Sequence, residues 1–134
     1  MFLHTALAYR RAGLAVIPCH RATKRPALES WRRYQREPPD PAHLRVWFGP
    51  AWRADALAIL AGAVSGGLEI LDFDAPHLYP YWLTAVYTRQ PDLLDRLVTV
   101  RTPSGGCHVY YRTDVVAGNQ KLAVDPAKPG GKYT

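Results

Sequence analysis

The sequence predicts an α/β (α+β) fold with a mixed or largely antiparallel sheet. Two observations support this prediction. Helical segments with recognisable caps alternate with short apolar runs of strand length, and two of these runs flank a glycine-containing turn. The length of 134 residues suits one domain with a single core.

The first half of the chain is predicted to be mainly helical. Helices are expected over residues 3–12, 28–36 and 41–48, and a short strand over 14–17 that ends at Pro18. The third helix has the clearest signals, because Asp40 stands at its N-cap and Pro41 at its first position. Between the strand and the second helix, residues 20–26 have no periodicity and are predicted to form a basic loop.

The second half is predicted to contain most of the strands. They are expected over residues 56–61, 68–74, 98–102 and 107–112, with a helix over 76–89 and a loop over 114–134. The glycine-rich residues 62–67 predict a hairpin turn, because they lack the lysine of a phosphate-binding loop and do not open a helix. Pro103 to Gly106 predict a second hairpin.

A pair of aspartates closes the most apolar of these strands. Because side chains alternate along a strand, Asp72 and Asp74 are expected on one face, about 6.5 to 7 Å apart. At an effective dielectric constant of about 20, two carboxylates at that distance repel by roughly 2 to 3 kcal/mol. A divalent cation would remove this cost and suit phosphoryl chemistry. The alternative is that Asp74 caps the following helix.

Charge and composition limit the class of partner. The net charge of +6 and the pI near 9.6 favour an anionic partner such as a nucleotide or nucleic acid. The excess of arginine and lysine lies in the first 55 residues, where Trp31 and Tyr34 stand among arginines. These aromatics could stack on bases or belong to the core, and solvated arginines on helix faces would give the same charge count.

Several classes of protein are disfavoured. No run of about 18 apolar residues predicts a membrane span, and the first residues do not resemble a signal peptide, so a cytoplasmic location is expected. Cys19 and Cys107 are too few for a disulfide framework or a four-thiolate zinc site.

The order of motifs resembles the bifunctional primase-polymerase family of the archaeo-eukaryotic primase superfamily. The matching segments extend over nearly the whole chain and occur in the family's order: residues 8–9, 13–18, 24–26 with Trp31, 60–62, 67–74 and 102–111. The resemblance implies an RNA-recognition-motif-like (RRM-like) catalytic core together with an N-terminal helix-strand unit. It also implies a nucleotidyltransferase, a DNA primase and DNA polymerase, acting in plasmid, phage or mobile-element replication.

The resemblance assigns roles to particular residues. Asp72 and Asp74 would bind Mg²⁺ or Mn²⁺, and His108 would contact the phosphates of the incoming nucleotide, although a lone strand histidine is more often structural. The nucleotide would also meet the turn formed by Ser104, Gly105 and Gly106. Lys24 would bind either the nucleotide or the template strand. In the wider superfamily a serine stands two places before the histidine, where this chain has Gly106. Nucleic acid is expected to contact Arg25, Arg32, Arg33, Arg101 and Arg112.

One motif of the family is not found. A third acidic residue is expected on a later strand, within an acidic-x-Arg-Gly segment, and no such segment precedes Thr134. Asp125 is a poor substitute. Either residues 1–134 are a primase-polymerase catalytic domain truncated before this motif, with a helicase or other replication domain following in the full-length protein, or the chain is a degenerate relative. We expect the first, and we expect this fragment alone to bind nucleotide weakly and to polymerise poorly or not at all.

Alternative functions share some of these features. The expected partners are nucleoside triphosphates and template DNA, either single-stranded or as a primer-template. A non-catalytic module binding nucleotide or single-stranded nucleic acid would use Trp31, Tyr110 and Tyr111 for stacking and need no metal. A metal-dependent nuclease would also use paired carboxylates, and would shorten a primer rather than extend it.

Overall fold

The computed structural model describes residues 2–52 and 54–123, which form helices and two antiparallel sheets. The predicted α+β class is confirmed. The chain divides into two compact units, residues 1–68 and 69–134. Asp125 lies outside the described residues.

The first unit pairs two helices with a two-stranded sheet. Its elements are α1 (Phe2–Arg11), β1 (Ala15–Cys19), a 3₁₀ helix (Arg32–Gln35), α2 (Pro41–Phe48), β2 (Ala56–Leu60) and a 3₁₀ turn (Ala63–Ser65). Strands β1 and β2 are antiparallel, with Ile17 opposite Ala58. The core of this unit consists of Ala6, Val16, Ile17, Tyr34, Leu44, Trp47 and Phe48.

Local sequence signals explain α2. Asp40 accepts a hydrogen bond from the backbone N–H of His43 at 2.9 Å, as an N-cap does, and Pro41 needs no hydrogen-bond partner at the first position. The apolar side chains of the helix at helical spacing, Leu44, Trp47 and Phe48, are all buried.

Two predictions in this unit were wrong, and a third was right only in part. The helix expected over 28–36 is only the 3₁₀ helix Arg32–Gln35. The first strand does not end at Pro18 but continues to Cys19, since each strand of a two-stranded sheet has an open edge where a missing N–H is tolerated. Residues 62–67 do form a tight turn, closed by an antiparallel bridge between Gly62 and Leu68. The turn does not join two paired strands, because β2 pairs with β1 and the next strand joins the other sheet.

The second unit contains the three-stranded sheet. Strand β3 (Leu68–Phe73) starts at the boundary between the units and is followed by α3 (Leu78–Arg89), a 3₁₀ helix (Pro91–Arg96), β4 (Val98–Arg101) and β5 (Cys107–Arg112). The strand order is β3-β5-β4, with β5 in the centre. A β-α-β-β unit in this order is the first part of an RRM-like sheet, as the resemblance implied.

The hairpin expected at residues 103–106 is present. Strands β4 and β5 are antiparallel, with Val100 opposite His108. The turn is closed by two backbone bonds, from the N–H of Thr102 to the carbonyl of Gly106 and from the N–H of Gly105 to the carbonyl of Thr102. Gly105 has a φ of +92°, a backbone conformation that glycine adopts without strain.

Helix α3 packs on one face of the sheet. Phe73 of β3 contacts Tyr79 and Trp82 of α3 with ring centroids 5.4 and 5.5 Å apart. Val109 of β5 is fully buried and lies on the same face by strand alternation. The side chains of Asp72 and His108 therefore project from the opposite face.

Candidate active site

The two central motif residues meet on the face of the sheet opposite Phe73. Asp72 lies on β3 and His108 on β5, and the carboxylate oxygen Oδ1 is 3.4 Å from the imidazole Nε2. Both side chains are about one-third exposed, so a ligand in solvent can reach them. The structure thus brings together two residues that only the resemblance had linked.

Tyr110 orients the imidazole from the other side. Its hydroxyl lies 3.0 Å from Nδ1 of His108. When the hydroxyl donates this bond, Nδ1 is the acceptor and the ring proton is on Nε2, which faces Asp72. Nε2 then has an N–H that can be donated to an anionic oxygen. Sequence reasoning had assigned Tyr110 only a possible stacking role.

Asp74 lies just after the end of β3, in a bend, and is exposed. It does not cap α3, which begins at Leu78 with His77 at the N-cap position. The alternative explanation of this aspartate as a helix cap is therefore wrong. Its carboxylate remains available next to the strand that carries Asp72.

The turn before His108 leaves no room for a side chain at Gly106. A Cβ atom there would lie 2.2 Å from the carbonyl oxygen of Phe73. This explains why a serine cannot occupy this position without moving the end of β3. The hydroxyl of Ser104 instead lies 3.1 Å from that of Thr102, within the same turn.

A carboxylate on the helix-facing side of the sheet holds the segment that follows β5. Glu69 accepts hydrogen bonds from the Tyr111 hydroxyl and, at 2.8 Å, from the backbone N–H of Ala117. These bonds hold the pKa of Glu69 below its ordinary value. Burial, and then the bond to Glu69, raise the pKa of Tyr111 to about 12.

The sequence had not singled out Glu69 for any role. The sequence does show Glu69 as a lone carboxylate within an apolar strand, and strand alternation places its side chain on the face opposite that of Asp72. Tyr111 also proves to be on the opposite face from Tyr110, with its hydroxyl engaged, and Trp31 packs against the core of the first unit. The stacking surface expected for a non-catalytic module is therefore not assembled by these three aromatics.

The remaining candidate residues are distributed over both units. Arg112 lies on the His108 face of β5 by strand alternation, whereas Arg101 is opposite Cys107 and so lies on the other face. In the first unit Lys24, Arg25 and Arg32 are exposed. Arg33 is engaged in packing, with its guanidinium carbon 4.6 Å from the centre of the Tyr34 ring.

A divalent cation at this site would have to take part of its ligands from a substrate or water. Among residues 2–52 and 54–123 there is no group of three or more acidic, histidine or cysteine side chains that could hold a metal ion by themselves. Mg²⁺ commonly binds through one or two carboxylates, substrate phosphates and water. Asp72 and Asp74 offer two carboxylates of this kind.

Comparison with known proteins identifies the family. Residues 6–133 match the family model described as bifunctional DNA primase/polymerase, N-terminal. The chain belongs to this family. A search of curated proteins gives no match. Membership in the primase/polymerase family indicates a primase/polymerase-type function with nucleotide and DNA substrates, and enzymes of the family generally use divalent metal ions. No helix within the described ranges has the length and apolar character needed to cross a membrane.

Proposed function

We propose that residues 1–134 form a primase-polymerase catalytic domain that transfers nucleotides to a primer 3′-hydroxyl on a DNA template. The observation that carries this proposal is the 3.4 Å approach of Asp72 and His108 on one sheet face. A carboxylate that can hold a cation and an N–H that can be donated to phosphate are the two groups this reaction needs side by side.

Each residue of the site has a distinct task in this proposal. Asp72 and Asp74 would hold Mg²⁺ or Mn²⁺. When bound, two such ions would lower the pKa of the attacking hydroxyl and stabilise the charge of the triphosphate and of the pyrophosphate leaving group. His108 would donate from Nε2 to a phosphate oxygen, in the tautomer in which the Tyr110 hydroxyl donates to Nδ1.

The turn at residues 103–106 supports the same site. Its closed backbone and its side-chain-free position at Gly106 let the start of β5 approach the end of β3 closely. Phe73, whose carbonyl forms this contact, lies between the two aspartates. The turn therefore fixes the spacing between the carboxylates and the imidazole, which phosphoryl transfer requires because it depends on positioning.

The wider setting is also proposed. Replication of a plasmid, phage or other mobile element, a cytoplasmic location and a following helicase or other replication domain are consistent with the family.

Primer extension tests the proposal. A labelled primer annealed to a longer template is incubated with deoxynucleotides and Mn²⁺. The full-length protein should lengthen the primer, and Asp72→Asn and Asp74→Asn, introduced into the full-length protein, should each abolish this activity without changing the melting temperature. Asp92→Asn, an exposed aspartate on the 3₁₀ helix after α3, is the matched control and should retain it.

The product length separates the competing functions. Shortening of the primer that depends on Asp72 would identify a nuclease. Binding of the primer-template that is indifferent to metal and to both substitutions would favour a non-catalytic module. Extension that persists in either aspartate variant would refute the assigned roles.

A further inference from the structure

The first unit contains a cavity that the site on the sheet does not use. It has a volume of about 260 Å³ and is lined by Cys19, His20, Ala27, Trp52, Ala54 and Asp55. Pockets for drug-sized ligands span roughly 300 to 1,000 Å³. This cavity is therefore suited to one flat ring system rather than to a base pair.

Trp52 gives the cavity an aromatic wall. Trp52 is 45% exposed, unlike Trp47, which is 4% exposed in the core of the same unit. Trp52 thus lines the cavity and is also accessible to a ligand from solvent. Stacking of a base on an aromatic side chain contributes to binding with little dependence on the base.

A basic loop forms one border of the cavity. Residues 20–25 are all exposed and include the cations Arg21, Lys24 and Arg25. The loop is closed by backbone bonds, from His20 N–H to the Arg25 carbonyl and from Lys24 N–H to the His20 carbonyl. Lys24 takes a left-handed conformation with φ of +57°, so the bonded loop holds it in a conformation that an unconstrained lysine rarely adopts.

The polar groups of the cavity favour a base inside it and phosphates outside it. Asp55 lines the cavity and accepts a bond from the Arg21 backbone N–H at 3.1 Å. Its negative charge disfavours a phosphate inside, while its oxygens can accept from the N–H groups of a base. Burial, and then the charge of Asp55, raise the pKa of the Cys19 thiol, which stays neutral. Phosphates fit the loop cations outside.

We propose that this cavity binds one unpaired base of the template single strand, stacked on Trp52, with the flanking phosphates on Arg21, Lys24 and Arg25. The inference deepens the proposed function and rests on it, since it names where the template strand is held. Of the two roles open to Lys24, it selects contact with the template, and it gives Arg25 a phosphate of that strand as its partner.

The test measures binding of the whole chain to a labelled 12-nucleotide single strand by fluorescence anisotropy, without metal or nucleoside triphosphate. Trp52→Ala should weaken binding by about 5- to 150-fold, the loss expected for one stacked base. Trp52→Phe should keep most of the affinity, because a phenyl ring also stacks. Tyr87→Ala, which removes an exposed aromatic of α3, should change nothing.

Tryptophan fluorescence provides the second readout. The single strand should quench the emission of wild type, and Trp52→Phe should lose most of this quenching while still binding. Unchanged affinity in Trp52→Ala, or full quenching in Trp52→Phe, would overturn the proposal. The same holds if Trp52→Phe weakens binding as much as Trp52→Ala while its melting temperature is unchanged.

Salt dependence tests the role of the loop. Arg25→Gln should reduce the slope of log K against log salt concentration by about 0.7, the value for one phosphate contact on a single strand. Arg89→Gln, at the end of α3, is the charge-matched control and should leave the slope unchanged. An equal slope of log K against log salt concentration in both variants would show that the loop does not contact the strand.

The two proposals can fail independently. The binding experiment contains no metal, so it does not depend on Asp72 or Asp74. A full-length protein that binds through Trp52 but does not extend a primer contradicts only the proposed catalytic function. A full-length protein that extends a primer, while Trp52→Ala binds the single strand as tightly as wild type does, contradicts only the template site.

Discussion

Substitution of Gly106 by alanine tests how closely the turn sets the geometry of the site. The added Cβ would lie 2.2 Å from the carbonyl oxygen of Phe73, whereas real Cβ contacts are essentially never shorter than 3.0 Å. The carbonyl or the turn must therefore move by about 0.8 Å. The moving atom is backbone, and it lies between Asp72 and Asp74 in the chain.

The expected losses of extension rate and of stability follow from this displacement. A misplacement of about 1 Å can reduce a reaction rate by about 100-fold, so we expect Gly106→Ala to slow single-turnover primer extension by the full-length protein by that order. Overpacking typically costs about 1 to 3 kcal/mol. For a domain of this size, that cost would lower the melting temperature by about 4 to 12 °C.

The neighbouring glycine supplies the control. At Gly105 an added Cβ meets nothing within 4 Å, but φ is +92°. Gly105→Ala is therefore strained by about 1 to 2 kcal/mol, as left-handed residues are, without pushing on β3. It should lose comparable stability and retain extension within a few-fold. If Gly106→Ala extends primers as fast as Gly105→Ala, the turn does not set the site geometry.

Three further predictions concern bonds within each unit. Ser65→Ala should lower the free energy of unfolding by about 1 to 3 kcal/mol in urea titration, because the fully buried Ser65 hydroxyl accepts from the Ala15 N–H at 2.8 Å and donates to the Leu60 carbonyl, and alanine can do neither. An unchanged unfolding midpoint would refute this. Ultraviolet titration should find one tyrosine ionising near pH 12, and Tyr111→Phe should remove that step, whereas titration of all tyrosines near pH 10 would contradict the bond to Glu69. The lowered pKa of Glu69 means that its contribution to stability is full above about pH 4.3, the unfolded value, and is lost as the pH falls through the folded value. The stability difference between wild type and Glu69→Gln should therefore shrink below that pH, and a difference that is constant from pH 7 to pH 3 would be the contrary result.

Elements with local signals were predictable from the sequence. Helix α2 has its cap at Asp40 and its proline at the first position, and the β4-β5 hairpin is marked by Pro103 to Gly106. Both depend on neighbours in the chain. The helix predicted over 28–36 was wrong because the spacing of Trp31 and Tyr34 suits a helix. Only Arg32–Gln35 forms a 3₁₀ helix, and the burial of Tyr34 in the core holds the segment in place.

Strand partners were less predictable because they depend on long-range pairing. The glycines at 62–67 are typical of a turn, yet the strands on either side enter different sheets. Nothing in a local window specifies whether β2 pairs with the strand before it or after it. The apolar character of β2 and β3 is the same in both arrangements.

The site was predictable in part. Strand alternation placed His108 and Arg112 on one face, and the family resemblance linked His108 to Asp72, which the structure places 3.4 Å away. The contact of Tyr110 with His108, and the bonds of Glu69 to Tyr111 and Ala117, follow from side-chain rotamers and from the register between β3 and β5. Those quantities are set by the packed sheet rather than by the local sequence.

Nucleotide binding measured by calorimetry tests the central claim most directly. Wild type and Asp72→Ala are titrated with a deoxynucleoside triphosphate, with and without Mn²⁺. We predict binding by wild type that requires Mn²⁺, and none by Asp72→Ala at the same concentrations. Equal binding by both proteins, with or without the metal, would contradict the assignment of Asp72 to a metal-dependent nucleotide site.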